Sequence, residues 1–191
     1  MRSRRSLALL LCLSTLALGA AGCGGDEKSY SGTEPSTWVA TVCGAVGDWT
    51  RGLQADSARL GAGLGGTADI NVVKARFVAF LANAERNTRT MVTRIRGAGA
   101  PAVKDGAKIQ EDLVKGLEGA QEALTHAAAE AKKLPTSDPQ AFQEGVQELG
   151  GDVQNELASV GSDFNTLGDK YKDSTLNKAT TYEPACKNIS A

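Results

Sequence analysis

Apolar residues in this chain recur at intervals of three and four along four long segments, and almost nowhere at intervals of two. That period belongs to helices with one buried face, and it restricts the fold more than any other feature. The first stripe is Val39, Val42, Val46, Trp49, Leu53 and Leu60, with Trp38 at its start. The second is Ile70, Val73, Phe77, Phe80, Leu81, Ala84, Met91 and Ile95. The third is Ile109, Leu113, Leu117, Ala120, Leu124, Ala127 and Ala131. The fourth is the most regular: Phe142, Val146, Leu149, Val153, Leu157, Val160, Phe164, Leu167 and Tyr171. Sustained alternation between hairpin turns is missing from the sequence, so no sheet is expected.

Start and stop residues divide the stripes. Pro35 suits the first turn of a helix, and the glycine-rich run from Gly61 to Gly66 ends it. Thr67 or Asp69 caps the second helix, and Gly97-Ala98-Gly99-Ala100-Pro101 stops it. Asp105-Gly106 marks a turn or cap before the third. Leu134-Pro135-Thr136-Ser137-Asp138-Pro139 joins a stop to a start, with Asp138 or Ser137 as cap. Gly150-Gly151 lies on the flank of the fourth helix, where a bend is possible. The expected fold is all-α: an antiparallel four-helix up-down-up-down bundle over residues 34–191. After Asp173 the pattern weakens, and Pro184-Ala185-Cys186 is expected to form a short turn that brings the tail back to helix 1. Aromatic residues make up only 5% of the chain, so aliphatic residues and alanine must fill the core.

The N-terminus reads differently. Met1-Arg2-Ser3-Arg4-Arg5 is basic, Leu7 to Leu18 is apolar, and Gly19-Ala20-Ala21-Gly22 precedes Cys23. A bilayer crossing needs roughly 20 apolar residues, so this run is too short to span. The pattern is that of a bacterial lipoprotein signal over residues 1–22. The thiol of Cys23 would then carry a diacylglyceryl group, whose two acyl chains supply the double anchor stable attachment requires. Ala20 stands where the pattern prefers leucine. An ordinary secretory signal cut near Ala21 is the competing reading, and Ser3-Arg4-Arg5-Ser6-Leu7 leaves twin-arginine export open beside the general route. Residues 23–33 are polar and aperiodic, and read as a flexible tether.

Cys12 leaves with such a signal and Cys23 takes the lipid, which leaves Cys43 and Cys186 near the two ends of the domain. In an oxidising compartment two remaining cysteines are expected to pair. Their spacing matches no zinc site and no Cys-x-x-Cys redox motif. In the up-down bundle both lie at one end, provided the tail folds back along helix 1.

Charge excludes one class of partner. Without the three arginines of the signal, 18 basic residues face 22 acidic ones, a net of about −4. Nucleic-acid binding wants a concentrated basic surface, and none is expected. Helix 2 is basic through Lys74, Arg76, Arg86, Arg89, Arg94 and Arg96, and helix 4 is acidic through Glu144, Glu148, Asp152, Glu156, Asp163 and Asp169. The two are either electrostatic complements, solvated faces, or, for helix 2, an anion-binding face toward an envelope polymer or lipid headgroups.

Catalytic motifs are missing: there is no Gly-x-Ser-x-Gly, no phosphate-cradling glycine loop after a strand, and no His-Glu-x-x-His. Glu122, His126 and Glu130 stand four apart on helix 3 and could hold a divalent metal, but they lie off the apolar stripe, where a solvated face is the simpler reading. Trp38 and Trp49 could line a ligand cavity or serve as core beside Cys43. Gly44 with Gly47, and Gly116 with Gly119, could permit close helix packing.

Four features together carry a resemblance. They are the Gly22-Cys23-Gly24-Gly25 site, the Trp38-Val39-Ala40-Thr41-Val42-Cys43 opening, the Pro101-Ala102-Val103-Lys104-Asp105-Gly106 turn and the late Ala185-Cys186. The chain resembles the uncharacterised helical lipoproteins of actinobacteria. The resemblance implies a secreted, membrane-anchored protein and adds no activity. The expected role is therefore a non-enzymatic binding or interaction module on the extracytoplasmic face of the cell membrane. No cofactor or metal is expected, and an envelope protein or polymer is the expected partner. The alternative is a small-ligand-binding or sensory bundle.

Thiol labelling of the denatured, unreduced mature protein is expected to leave Cys43 and Cys186 unmodified. Ready labelling of both would show that they do not pair.

Overall fold

The computed structural model describes residues 29–63 and 69–187. The signal segment, Cys23, most of the tether and residues 64–68, with the candidate cap Thr67, lie outside the described residues. So do the side chains of Leu157, Val160, Asp163, Phe164 and Leu167. The chain is an all-α bundle of α1 (Pro35–Gly63), α2 (Ile70–Gly97), α3 (Gly106–Ala131), α4 (Pro139–Lys170), α5 (Ser174–Tyr182) and α6 (Pro184–Lys187).

Local chemistry sets the starts of these helices. Pro35 occupies the first turn of α1, and the Glu34 carboxylate accepts from the Thr37 amide at 2.8 Å and from the Ser36 hydroxyl. Those bonds, the Ser36 hydroxyl first, hold the Glu34 carboxyl down at about 2. Asp69 caps α2 through the Asn71 amide at 2.7 Å. Asp138 caps α4 through the amides of Gln140 and Ala141. α4 continues through Gly150-Gly151 as one helix.

α2 packs on α1 and on α3, and α3 packs on α4. Two apolar clusters result among the described residues. One joins Trp38, Val39 and Ala45 of α1 to Met91, Val92 and Ile95 of α2, and to Ile109, Leu113 and Leu117 of α3. Tyr171, just past α4, packs against the same cluster, so the start of α1 and the end of α4 share one end of the molecule. The second cluster joins Leu81 of α2 to Ala127, Ala128 and Ala131 of α3 and to Leu149 of α4. Each large aliphatic side chain buried this way contributes roughly 1.5–3 kcal/mol. The alanines of α3 let its neighbours approach closely.

Two short helices add to the four long ones. Among the described residues, α1 finds its further partners in α5 and α6. The segment after Asp173, which reads as weak in the sequence, is a nine-residue helix followed by the expected turn at Pro184. It returns the tail to α1, and Cys43 and Cys186 are joined by a disulfide with Cα atoms 4.9 Å apart. A loop closed across 143 residues stabilises by about 5 kcal/mol in the chain-entropy account.

The α2–α3 turn is tied to the start of α1 and to the segment before it. Trp38 donates its indole N–H to the Gly99 carbonyl and to Gln110 Oε1, both at 2.9 Å, and Gln110 Nε2 donates to the Ile95 carbonyl at 2.8 Å. Thr33, the last residue of the segment read as tether, pairs with the same turn. Its amide donates to the Ala100 carbonyl and its carbonyl accepts from the Ala102 amide, each at 2.7 Å. Gly32 has φ +144° and faces the Ala100 carbonyl, so a Cβ there would lie 2.4 Å from that oxygen.

At Gly106 a Cβ would sit 1.9 Å from the Pro101 carbonyl oxygen, whereas at Gly116, inside α3, it would meet nothing within 4 Å. Gly106→Ala is expected to destabilise by about 2–4 kcal/mol through forced backbone movement, and Gly116→Ala to stabilise by about 0.4–1 kcal/mol. Urea unfolding of the two variants checks both signs.

Candidate functional site

A network of polar side chains lies along the seam between α1 and α2, where the helix period brings Asp48, Trp49, Gly52 and Asp56 opposite Asn83, Asn87, Thr88 and Arg94. Asp48 pairs with Arg94 across the seam and with Arg51 on its own helix. These cations, Arg94 first, hold its carboxyl below the usual carboxylate range. One step inward, Trp49 donates its indole N–H to Thr88 Oγ1 at 2.8 Å. Thr88 is fully buried, and its hydroxyl donates in turn to the Ala84 carbonyl at 2.9 Å.

Asp56 is the buried carboxylate of the seam, 6% exposed. Its Oδ1 accepts from Asn83 Nδ2 at 3.2 Å and from Arg59, and its Oδ2 accepts from Asn87 Nδ2 at 3.0 Å. Gly52 makes room for Asn87, since a Cβ there would lie 2.9 Å from the amide nitrogen. A carboxylate removed from water needs this many donors. Apolar periodicity alone passes over Asp56 and Thr88. A signal for both is nonetheless present: Asp56 interrupts the stripe between Leu53 and Leu60, and Thr88 interrupts it between Ala84 and Met91.

Between Asp48 and Asn87 the seam opens into a cavity of about 140 Å³, lined also by Trp49, Thr90, Met91 and Arg94. Ligand sites for drug-sized molecules run to roughly 300–1,000 Å³, so only a small molecule fits here. Trp49 lines it; Trp38 does not, being core at 7% exposure with its indole bonded into the α2–α3 turn.

The remaining sequence candidates are scattered. Glu122 and His126 are exposed on α3. His126 Nε2 stands 3.8 Å from the Glu130 carboxylate, and Glu130 is bound by Lys133 at 2.6 Å. Lys133 first, then His126, holds the Glu130 carboxyl below its ordinary value. His126 and Glu130 border an open cleft of about 500 Å³ shared with Glu148 and Asp152 of α4, and Glu122 does not. Among the described residues no group of three or more His, Cys, Asp or Glu is placed to hold a metal ion.

Four basic residues of α2 find partners other than α4 among the described residues. Arg94 meets Asp48 of α1, Arg96 meets Glu118 of α3, Arg89 meets Glu85 of its own helix, and Lys74 donates to the Leu134 carbonyl at 2.6 Å. The acidic partner used by α4's end lies on α3: Asp112 accepts from Lys170 and from Tyr171 Oη, each at 2.8 Å. Lys170 and then Tyr171 keep the Asp112 carboxyl low, and Asp112 raises Lys170 in return. Gly44 lies under the Arg94 guanidinium, whereas Gly116 has open space above it.

Asp56→Ala strands the Asn83 and Asn87 amides and is expected to cost about 2–3 kcal/mol. Unfolding of Asp56→Ala, compared with Asp56→Ala/Asn83→Ala/Asn87→Ala, should show the triple variant losing less than the sum of its parts.

Comparison with known proteins finds no matching family, no matching characterised protein and no matching solved structure.

Proposed function

We propose that this protein is a lipid-anchored helical bundle on the extracytoplasmic face of the cell membrane, serving as a non-enzymatic binding or interaction module of the envelope. The observation that carries the reading is the Cys43–Cys186 disulfide. Such a bond belongs to an oxidising compartment, and its formation leaves Cys23 as the remaining cysteine after the signal pattern. That cysteine stands where a lipoprotein signal places the acylated residue. None of the described helices is long and apolar enough to cross a membrane, and in this reading Cys23 supplies the attachment.

The binding role rests on the character of the surface. The polar groups of the α1–α2 seam are largely spent on one another, and the exposed charges of α2 and α3 present a mixed face to a protein or polymer partner. Mixed charge with a net negative balance does not favour nucleic acid. A second reading, a small-ligand or sensory bundle, is favoured by the cavity beside Trp49. Native mass spectrometry of protein purified gently from its host separates the two, since a stoichiometric adduct belongs to the ligand reading alone.

Cys23→Ser is expected to move the protein from the membrane fraction to the soluble extracytoplasmic fraction. Unchanged membrane retention would refute the anchor assignment.

A further inference from the structure

We propose that α5 and α6 form a redox-released clasp on α1, latched by the Cys43–Cys186 disulfide and able to lift without unfolding the bundle. Four observations combine. First, α5 and α6 pack chiefly on α1 and on each other, so they sit outside the α1–α2–α3 core. Second, no described residue of either helix is buried, and the apolar groups they bring to the core are the half-buried Leu176, Ala179 and Cys186. Third, among the described residues the hydrogen bonds of 174–187 stay within the segment and its cap. Asp173 accepts from the Thr175 and Leu176 amides, Thr180 and Thr181 donate back to the Leu176 and Asn177 carbonyls, and Glu183 accepts from the Ala185 amide. Fourth, the chain just before it is fixed, because Lys170 and Tyr171 both bind Asp112. A hinge is thereby placed at Lys172–Asp173.

The attachment therefore combines the covalent bond with the partial packing of Leu176 and Ala179. A nine-residue helix is marginal alone in water, so a released α5 would lose its order. Release is a thiol–disulfide exchange. A dithiol reductant attacks one sulfur as its thiolate and forms a mixed disulfide, and its second thiol then displaces the remaining sulfur. Two electrons pass to the Cys43–Cys186 pair, each sulfur gains a proton, and the reductant departs as its own disulfide. Both cysteines are half-buried, neither fully enclosed by the core. Lifting the clasp uncovers the part of α1 around Val42 and Val46, which share the apolar cluster with Leu176 and Ala179.

The test is amide hydrogen exchange on the mature protein, oxidised and after dithiothreitol, with Cys186→Ser as a reductant-free counterpart. Residues 176–186 are expected to exchange at least about tenfold faster in both reduced and variant protein, while amides of Met91–Ile95 and Ile109–Leu117 stay protected. Unchanged protection of 176–186 in either sample would overturn the clasp. So would loss of protection in α2 and α3 together with the tail, which would make the disulfide a bond holding the whole fold.

Discussion

The packing of α2 against α3 is the contact on which the other helices depend. Among the described residues, these two alone contribute buried side chains to both apolar clusters. Met91, Val92 and Ile95 meet Ile109, Leu113 and Leu117 at one end, and Leu81 meets Ala127, Ala128 and Ala131 at the other. Among the described residues, α1 contributes buried side chains to the first cluster and α4, through Leu149, to the second. Weakening the α2–α3 face would therefore loosen both outer helices at once.

That arrangement explains how much of the fold is legible in the residues. The helix limits can be read because they are set locally, by Pro35, Asp69, Asp138 and the glycines of the turns, and these act whatever the tertiary context. The disulfide is legible by elimination among four cysteines. The closure of the bundle is not, because amphipathic stripes say that a face is buried and not against what. α5 is faint for a related reason: its half-buried face amounts to Leu176 and Ala179, too little to register as a stripe. Thr33 reads as tether because its attachment is made largely by backbone atoms, which no side-chain pattern records.

The polar seam is harder to read because apolar spacing carries no information about the polar residues between. Yet a polar side chain in a buried row must find partners or cost several kcal/mol. Here the partners are Asn83, Asn87 and Arg59 for Asp56, and Trp49 for Thr88. The bonds that cross from α1 to α2 are satisfied only when the two helices sit in one longitudinal alignment. Slipping by a turn would strand a carboxylate. The seam thus fixes register between two helices whose apolar contacts alone would tolerate sliding.

Thr33's attachment to the α2–α3 turn also decides how the molecule would stand on a membrane. Residues 24–31 separate Cys23 from Gly32, a span of at most roughly 30 Å when fully extended. A helix of 28 residues, as α2 is, runs about 42 Å. With a lipid on Cys23, the domain would be on a leash shorter than itself, and the leash is tied to one pole. The turn at Pro101 would stay near the headgroups, while the α3–α4 turn and its His126 cleft could swing to a height the anchor never reaches. With Cys23 so anchored, contacts at the α3–α4 turn could be made farther from the bilayer than contacts at Pro101.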